Sequence, residues 1–150
     1  MDILTNLKQR WEGLNYPFVI HSAGELYFNE ISDQKGLDLS GIKKGNVVAL
    51  IGDFDPQSIL TLLQLIDKKV ILVPLTIDTR SQHEYFFESA LVDVVIEGDS
   101  IKYLEQEKSH ELIIQLRSKE HAGLVLFSTG TTGRPKAILH DLTLFMLRFE

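Results

Sequence analysis

Hydrophobic and polar positions along the chain follow spacings that change several times, and each spacing predicts a different element. Near the start the spacing is helical, with apolar residues at Ile3, Leu4, Leu7 and Trp11. This pattern predicts an opening helix near residues 2–13, with Asp2 as its N-cap.

After the opening helix the pattern becomes that of short strands. Two β-type runs, 18–20 and 26–28, lie on either side of a Ser-Ala-Gly segment and predict a β-hairpin. Asn29 then has the character of an N-cap, and a second helical segment is predicted from there toward Leu39.

The centre of the chain alternates continuous apolar runs with an amphipathic pattern. Residues 47–51 and 70–75 are almost entirely apolar, as in strands buried on both faces. Between them, Asp55 and Pro56 open a helix whose apolar residues form one broad face. This order is a βαβ unit, which predicts a right-handed crossover on a parallel sheet. We therefore expect an α/β fold, doubly wound, with a largely parallel sheet flanked by helices.

The second half of the chain is less uniform. Residues 80–91 predict a helix, and 92–96 a strand interrupted by a charged residue. Residues 101–116 mix short apolar runs with charges, and the pattern does not separate strand from helix there. A last apolar helix is predicted to begin at Asp141.

Composition narrows the classes of function. The chain has 150 residues, a length typical of one domain, with 44% hydrophobic and 24% charged residues. Its net charge of −6 argues against a general affinity for nucleic acid or an anionic membrane. The absence of cysteine excludes disulfides and thiolate chemistry, and no apolar run reaches the roughly 18 residues of a membrane span. With no signal-peptide pattern either, we expect a cytoplasmic protein.

One segment, from Leu124 to His140, has a composition suited to a polyphosphate. Two strand-like runs flank a loop of hydroxyls, glycines and cations. Hydroxyls donate hydrogen bonds, glycines let backbone N–H groups approach a ligand, and the cations supply charge. The residues concerned are Ser128, Thr129, Gly130, Thr131, Thr132, Gly133, Arg134 and Lys136. The loop is not a Walker motif, because Gly133 is followed by Arg-Pro-Lys-Ala and then by a strand-like run.

The segment resembles the phosphate-binding signature of the adenylate-forming enzymes, the superfamily of acyl-CoA ligases, luciferases and adenylation domains. The family string is Tyr/Phe-Ser/Thr-Ser/Thr-Gly-Thr-Thr-Gly-x-Pro-Lys-Gly. Positions Phe127 to Ala137 match it except at the last, Ala137, where the family usually has glycine. A second resemblance lies upstream, in the phrase from Gly41 to Ala49 and the strand end Val73-Pro74-Leu75. The alternatives are a flexible linker for the loop and an unrelated doubly wound protein for the upstream segment.

The resemblance implies a reaction in which ATP and a carboxylic acid give an acyl-adenylate and pyrophosphate, after which the acyl group passes to a thiol. CoA is the expected acceptor, and a carrier-protein thiol is the alternative that stays open. The loop residues given above would contact the β- and γ-phosphates of ATP. Mg²⁺ ligands and the remaining catalytic groups are expected downstream of this chain. The identity of the small-molecule carboxylic acid, whether fatty, aromatic or amino acid, stays open.

The resemblance also implies the organisation of the chain. Residues 1–150 are expected to be the N-terminal α/β subdomain of a longer ligase, with the opening helix and hairpin in 1–28 and the phosphate loop in 127–137. Such a piece is expected to be inactive alone. The apolar residues after Asp141 are expected to be exposed in it, which predicts a homodimer or domain swap; they are Leu142, Leu144, Phe145, Leu147 and Phe149. The alternative is a non-catalytic nucleotide-binding or interaction module of the same fold.

Other residues that attract attention have simpler interpretations. The five histidines are scattered without metal-ligand spacing, so no metal site is predicted. Asp53 and Asp55 precede a helix and are assigned to capping rather than to acid–base chemistry. Tyr85 and its two phenylalanine neighbours are assigned to core packing rather than to an acyl pocket.

Overall fold

A largely parallel sheet lies at the centre of the molecule. The computed structural model describes residues 2–53, 55–129 and 133–149, and within them the main sheet has six strands in the order β6-β5-β3-β4-β7-β8. A separate two-stranded sheet pairs β1 with β2. The strands are β1 (Val19–His21), β2 (Gly24–Leu26), β3 (Val47–Ile51), β4 (Ile71–Leu75), β5 (Val94–Glu97), β6 (Ser100–Tyr103), β7 (Gly123–Phe127) and β8 (Ala137–Asp141).

Helices connect the strands and cover both faces of the sheet. They are α1 (Ile3–Trp11), α2 (Phe28–Ser32), α3 (Pro56–Asp67), α4 (His83–Ala90), α5 (Glu111–Ser118) and α6 (Leu142–Met146), with 3₁₀ turns at Ile77–Gln82 and Leu147–Phe149. Strands β5, β3, β4 and β7 are parallel neighbours, whereas β6 and β8 run antiparallel at the two edges. The predicted α/β fold with a largely parallel sheet is confirmed.

Two predicted helix starts are confirmed at the level of single hydrogen bonds. The Asp2 carboxylate accepts a bond of 2.8 Å from the N–H of Thr5. The Asp55 carboxylate accepts one of 2.9 Å from the N–H of Ser58, and Pro56 is the first residue of α3. Each cap satisfies a backbone donor that the helix itself leaves without a partner.

The core has two main layers, one on each face of the sheet. All five residues of β3 are buried, as expected for a strand covered on both sides. Phe86 and Ala90 of α4 and Ile113 and Leu116 of α5 pack on one face. Leu65 of α3 packs on the other face, and a third cluster joins α3 to the N-terminal helices and hairpin.

The helix predicted from Asn29 toward Leu39 is wrong in its bounds. The helix begins at Phe28 and ends at Ser32, with the Glu30 carboxylate accepting a bond of 2.8 Å from the N–H of Tyr27. The following chain is not helical, because Leu39 packs against the sheet and the Asp38 carboxylate accepts a bond from the N–H of Ser40. Burial of the leucines against the sheet therefore replaces the predicted helix.

The segment that the pattern left open contains both kinds of element. Strand β6 folds back on β5 through the turn at residues 98–99, and α5 follows after an irregular stretch. Asp93, which was predicted to interrupt a strand, lies just before β5 and accepts a bond of 2.7 Å from the N–H of Val47. The predicted helix 80–91 is a 3₁₀ turn followed by α4.

The end of the chain confirms a helix at Asp141 and corrects one detail. The carboxylate of Asp141 accepts a bond of 3.0 Å from the N–H of Leu144 and so caps α6. Leu142, which was expected to be exposed, is buried at 8% exposure. Leu144, Phe145 and Leu147 are exposed, as expected.

Candidate phosphate-binding site

The signature loop connects the two strands of an edge hairpin. β7 and β8 are antiparallel, and their last pair before the loop is Phe127 with Ala137. β7 is also a parallel neighbour of β4, so the loop leaves the sheet at the carboxyl edge of its parallel strands. Open α/β sheets commonly bind ligands at this edge.

The base of the loop is closed by a reciprocal pair of hydrogen bonds. The N–H of Ser128 donates to the carbonyl of Lys136 at 3.0 Å, and the N–H of Lys136 donates to the Ser128 hydroxyl oxygen at 3.1 Å. The second bond occupies a lone pair of the Ser128 oxygen but leaves its O–H free to donate. Ser128 therefore has a structural role in the loop, and its proton can still be offered to a phosphate oxygen.

Tyr85 of α4 contacts the second half of the loop, which we call the exit limb (residues 133–136). Its hydroxyl donates a bond of 2.7 Å to the carbonyl of Pro135, and the guanidinium carbon of Arg134 lies 5.1 Å from the ring centroid. Tyr85 was predicted to be a core-packing residue, and its contact with the loop was not predicted. No local pattern indicates it, since the two partners are fifty positions apart.

The neighbouring residue of α4 contacts the other end of the loop. Phe86 is buried and stacks on Phe127, the last residue of β7, with ring centroids 4.1 Å apart. The prediction that Phe86 is a core residue is confirmed. The stack joins the start of the loop to the hydrophobic layer beneath the sheet.

Two cations of the loop are exposed and are not neutralised by a described carboxylate. Within residues 2–53, 55–129 and 133–149, the ion pairs join Lys44 to Glu120, Arg80 to Glu97, Arg117 to Asp93 and His121 to Asp141. Arg134 and Lys136 belong to none of these pairs, and both side chains face solvent. The chain as a whole has a net charge of −6, so these two cations are a local positive site that attracts an anion.

The predicted site residues that the structure describes lie on both sides of the loop. Ser128 and Thr129 follow β7, and Gly133, Arg134 and Lys136 precede β8. Gly130, Thr131 and Thr132 lie outside the described residues. Gly133 has φ of +106°, a backbone conformation that side chains disfavour. Ala137, which departs from the family pattern, is an ordinary strand residue paired with Phe127, and there the chain does not require glycine.

A histidine–aspartate pair lies at the opposite end of the hairpin. His121 Nδ1 is 2.9 Å from the Asp141 carboxylate, which also caps α6. Burial by itself raises the pKa of Asp141, but the hydrogen bonds from His121 and from the N–H of Leu144 outweigh it and hold this pKa below its usual value. The pair stabilises the base of the hairpin and does not reach the loop.

Two other histidines have structural contacts. His83 Nε2 is 3.0 Å from the carbonyl of Thr76, and His110 Nδ1 accepts a bond from the N–H of Leu112 at the start of α5. In the described part of the chain, no three His, Asp or Glu side chains lie close enough together to hold a metal ion.

Solved structures with the same architecture were found by comparison of folds. VinN superposes with a TM-score of 0.59 at 15% sequence identity, covering 95% of this chain and 46% of VinN. The N-terminal subdomain of Klebsiella oxytoca NpsA, in complex with 3-hydroxyanthranilyl-AMSN, gives a TM-score of 0.57 at 17% identity and covers 91% of this chain and 38% of that protein. The chain has the fold of an adenylate-forming N-terminal subdomain.

A third example of the adenylate-forming fold is an E. coli MenE variant with bound OSB-AMS, with a TM-score of 0.54 at 15% identity over 93% of this chain and 34% of that protein. The chain thus spans less than half the length of these three structures. No protein-family model and no curated sequence matches it. In the described part of the chain, no helix is long and apolar enough to cross a membrane.

Proposed function

We propose that this chain is the N-terminal, phosphate-contacting part of a longer ligase that activates a carboxylic acid with ATP as an acyl-adenylate. The observation that carries the proposal is the loop between β7 and β8. It combines hydroxyl donors with two cations that no described carboxylate neutralises, at the carboxyl edge of a parallel sheet. The adenylate-forming fold supports this interpretation.

The loop contributes electrostatic stabilisation to the proposed reaction. Negative charge grows on the leaving pyrophosphate as the carboxylate attacks the α-phosphate. Lys136 and Arg134 offset this charge, and the hydroxyls of Ser128 and Thr129 donate hydrogen bonds to phosphate oxygens. Because the base of the loop is already closed by the pair of bonds between Ser128 and Lys136, these donors need little reorganisation when the charge develops.

Three loop residues outside the described part, Gly130, Thr131 and Thr132, belong to the same proposal. They lie in sequence between Thr129 and the exit limb, so they complete the proposed set of donors around the phosphates. The donors of this loop suit phosphate oxygens, since they are hydroxyls, amides and cations. They do not suit Mg²⁺, which prefers carboxylate, carbonyl and water oxygens, and we assign the ion's protein ligands to the part of the ligase beyond this chain.

The acid and the acceptor are the finer parts of the proposal. VinN has been solved with L-aspartate and with 3-methylaspartate, and the NpsA subdomain with 3-hydroxybenzoyl-AMSN. These structures support a small carboxylic acid as the substrate class. We propose CoA as the acceptor on the resemblance of the loop to acyl-CoA ligases. No contact among the described residues favours the alternative of a non-catalytic module.

The proposal is tested by titrating the chain with inorganic pyrophosphate and with MgATP in a calorimeter. We expect saturable binding that Lys136→Ala weakens by about 1–3 kcal/mol, the usual worth of a charge-assisted hydrogen bond. Lys102→Ala is the matched control, because Lys102 is an exposed lysine on β6 at the opposite edge of the sheet. Equal loss in both variants would indicate a general charge effect and contradict the site.

A second measurement tests the proposal that this chain alone lacks part of the catalytic groups. ATP–pyrophosphate exchange with a panel of carboxylic acids is expected to show no turnover for the chain alone. Exchange activity appearing with the chain alone would contradict the proposal that the remaining catalytic groups lie elsewhere in a longer protein.

A further inference from the structure

Tyr85 is the described side chain outside the loop that bonds to the exit limb. It is half-buried, and its ring packs against the hydrophobic layer formed by α4, α5 and the sheet. Its hydroxyl donates to the Pro135 carbonyl at 2.7 Å. A rigid helix thus reaches a loop residue fifty positions later in the chain.

The bonded carbonyl lies at the point where the loop has no strand to guide it. The ladder between β7 and β8 begins at Ala137, and Pro135 has no N–H to donate. With φ fixed by its ring, Pro135 leaves its carbonyl as its backbone hydrogen-bonding group. Holding that carbonyl sets the direction of the peptide between Pro135 and Lys136, and therefore where the Lys136 side chain starts.

The ring of Tyr85 makes a second contact with the same limb. The guanidinium of Arg134 lies over the ring at 5.1 Å, a distance typical of a cation–π interaction. The two contacts use different parts of the side chain. A phenylalanine would keep the ring contact with Arg134 and lose the bond to Pro135, whereas a leucine would lose both.

We infer that Tyr85 is a positioning residue of the phosphate site: it holds the exit limb through Pro135 and Arg134 so that Lys136 and Arg134 face the phosphates. The inference rests on the proposed function for the identity of the ligand. Tyr85 touches no phosphate in this arrangement, and it acts through the residues that do. A structural residue of the core would affect folding, whereas a positioning residue affects the limb while the fold stays intact.

The first test measures, without any ligand, whether Tyr85 holds the exit limb in place. Amide hydrogen exchange is followed by NMR at Ser128 and Lys136, whose N–H groups close the base of the loop. Tyr85→Phe is expected to speed exchange at these amides about fivefold, the equivalent of one net hydrogen bond of about 1 kcal/mol. Core amides of β3 should be unchanged. Tyr103→Phe is the matched control, since it deletes the same hydroxyl on β6 at the far edge.

The second test measures the affinity for inorganic pyrophosphate and for MgATP. Tyr85→Phe is expected to weaken binding about fivefold and Tyr85→Leu about 25-fold, while Tyr103→Phe binds like the unchanged protein. Arg134→Gln should weaken binding less in the Tyr85→Leu background than alone, because the ring then no longer places the guanidinium.

The outcomes separate this inference from the proposed function. If amide exchange at Ser128 and Lys136 is unchanged in Tyr85→Phe, the claim that Tyr85 holds the exit limb is overturned, whatever the ligand affinities are. Faster exchange with unaltered pyrophosphate affinity overturns the positioning role. If the unchanged protein binds neither pyrophosphate nor MgATP, the proposed function fails, and the exchange rates alone then decide whether Tyr85 holds the limb.

Discussion

The central strand β3 and the edge hairpin β7–β8 differ in what holds them. Every residue of β3 is buried between two layers of helices. On the hairpin, Leu126 and Ile138 face each other across the two strands and remain 43% and 46% exposed. The loop at the end of the hairpin is held by a few hydrogen bonds and two aromatic contacts.

The difference shows where this fold stores its stability and where it places chemistry. Apolar burial in the centre is strongly stabilising, but it is non-directional and offers no groups that could orient a polar ligand. Hydrogen bonds at the edge are individually weak, but they are directional, and they orient the donors that a phosphate needs. Substitutions in the two regions should therefore have effects of different kind and size.

The largest effect is expected from a matched pair of isoleucine truncations. Ile71 of β4 is fully buried, whereas Ile138 of β8 is 46% exposed. Ile71→Ala should lower the free energy of unfolding by about 2–5 kcal/mol, because it removes buried methyl groups and leaves a cavity. Ile138→Ala should lower it by less than about 1 kcal/mol. Urea unfolding followed by circular dichroism measures both, and similar losses would contradict the contrast.

A smaller effect is expected at the base of the hairpin. Asp141→Ala removes both the cap of α6 and the partner of His121. The loss of a helix cap costs about 0.5–2 kcal/mol, and the same unfolding experiment measures it. Asp141→Asn is the informative companion, since asparagine still caps a helix but does not carry the charge. If the asparagine variant loses as much as the alanine variant, the charge at this position matters more than the cap.

The pH dependence of stability should show a smaller effect of the same residue. The folded pKa of Asp141 is below its ordinary value, so the unfolded chain binds a proton more readily in the acid range. The stabilisation from this carboxylate is full above the unfolded pKa and is lost as the pH falls toward the folded one. Between neutral and acid pH, the free energy of unfolding should therefore fall more steeply with decreasing pH for the unchanged protein than for Asp141→Asn. Identical slopes would refute the shift.

The smallest effect is expected for the stability of Lys136→Ala. The side chain is exposed and pairs with no described carboxylate, so the free energy of unfolding should change by no more than about 0.5 kcal/mol. Thermal unfolding of the variant beside Lys102→Ala checks this. A large loss would mean that the lysine serves the fold rather than a ligand.

The parts of the structure that sequence reasoning predicted are those with a local cause. The buried runs of β3 and β4 and the Asp55 cap follow from residues close together in the chain. The helix predicted from Asn29 was wrong because Leu39 gains more by packing on the sheet, a distant partner that local pattern does not show. Tyr85 was missed for the same reason, since its contact with Pro135 exists only once α4 is docked.

Two consecutive residues of α4 contact the two ends of the loop between β7 and β8. Phe86 stacks on Phe127 where the loop begins, and Tyr85 bonds to Pro135 close to where it ends. The separation of these ends is therefore set by α4 and by the Ser128–Lys136 bonds before any ligand arrives. The entropy of closing the loop is lost once, during folding, and is not subtracted again from the affinity for each incoming phosphate group.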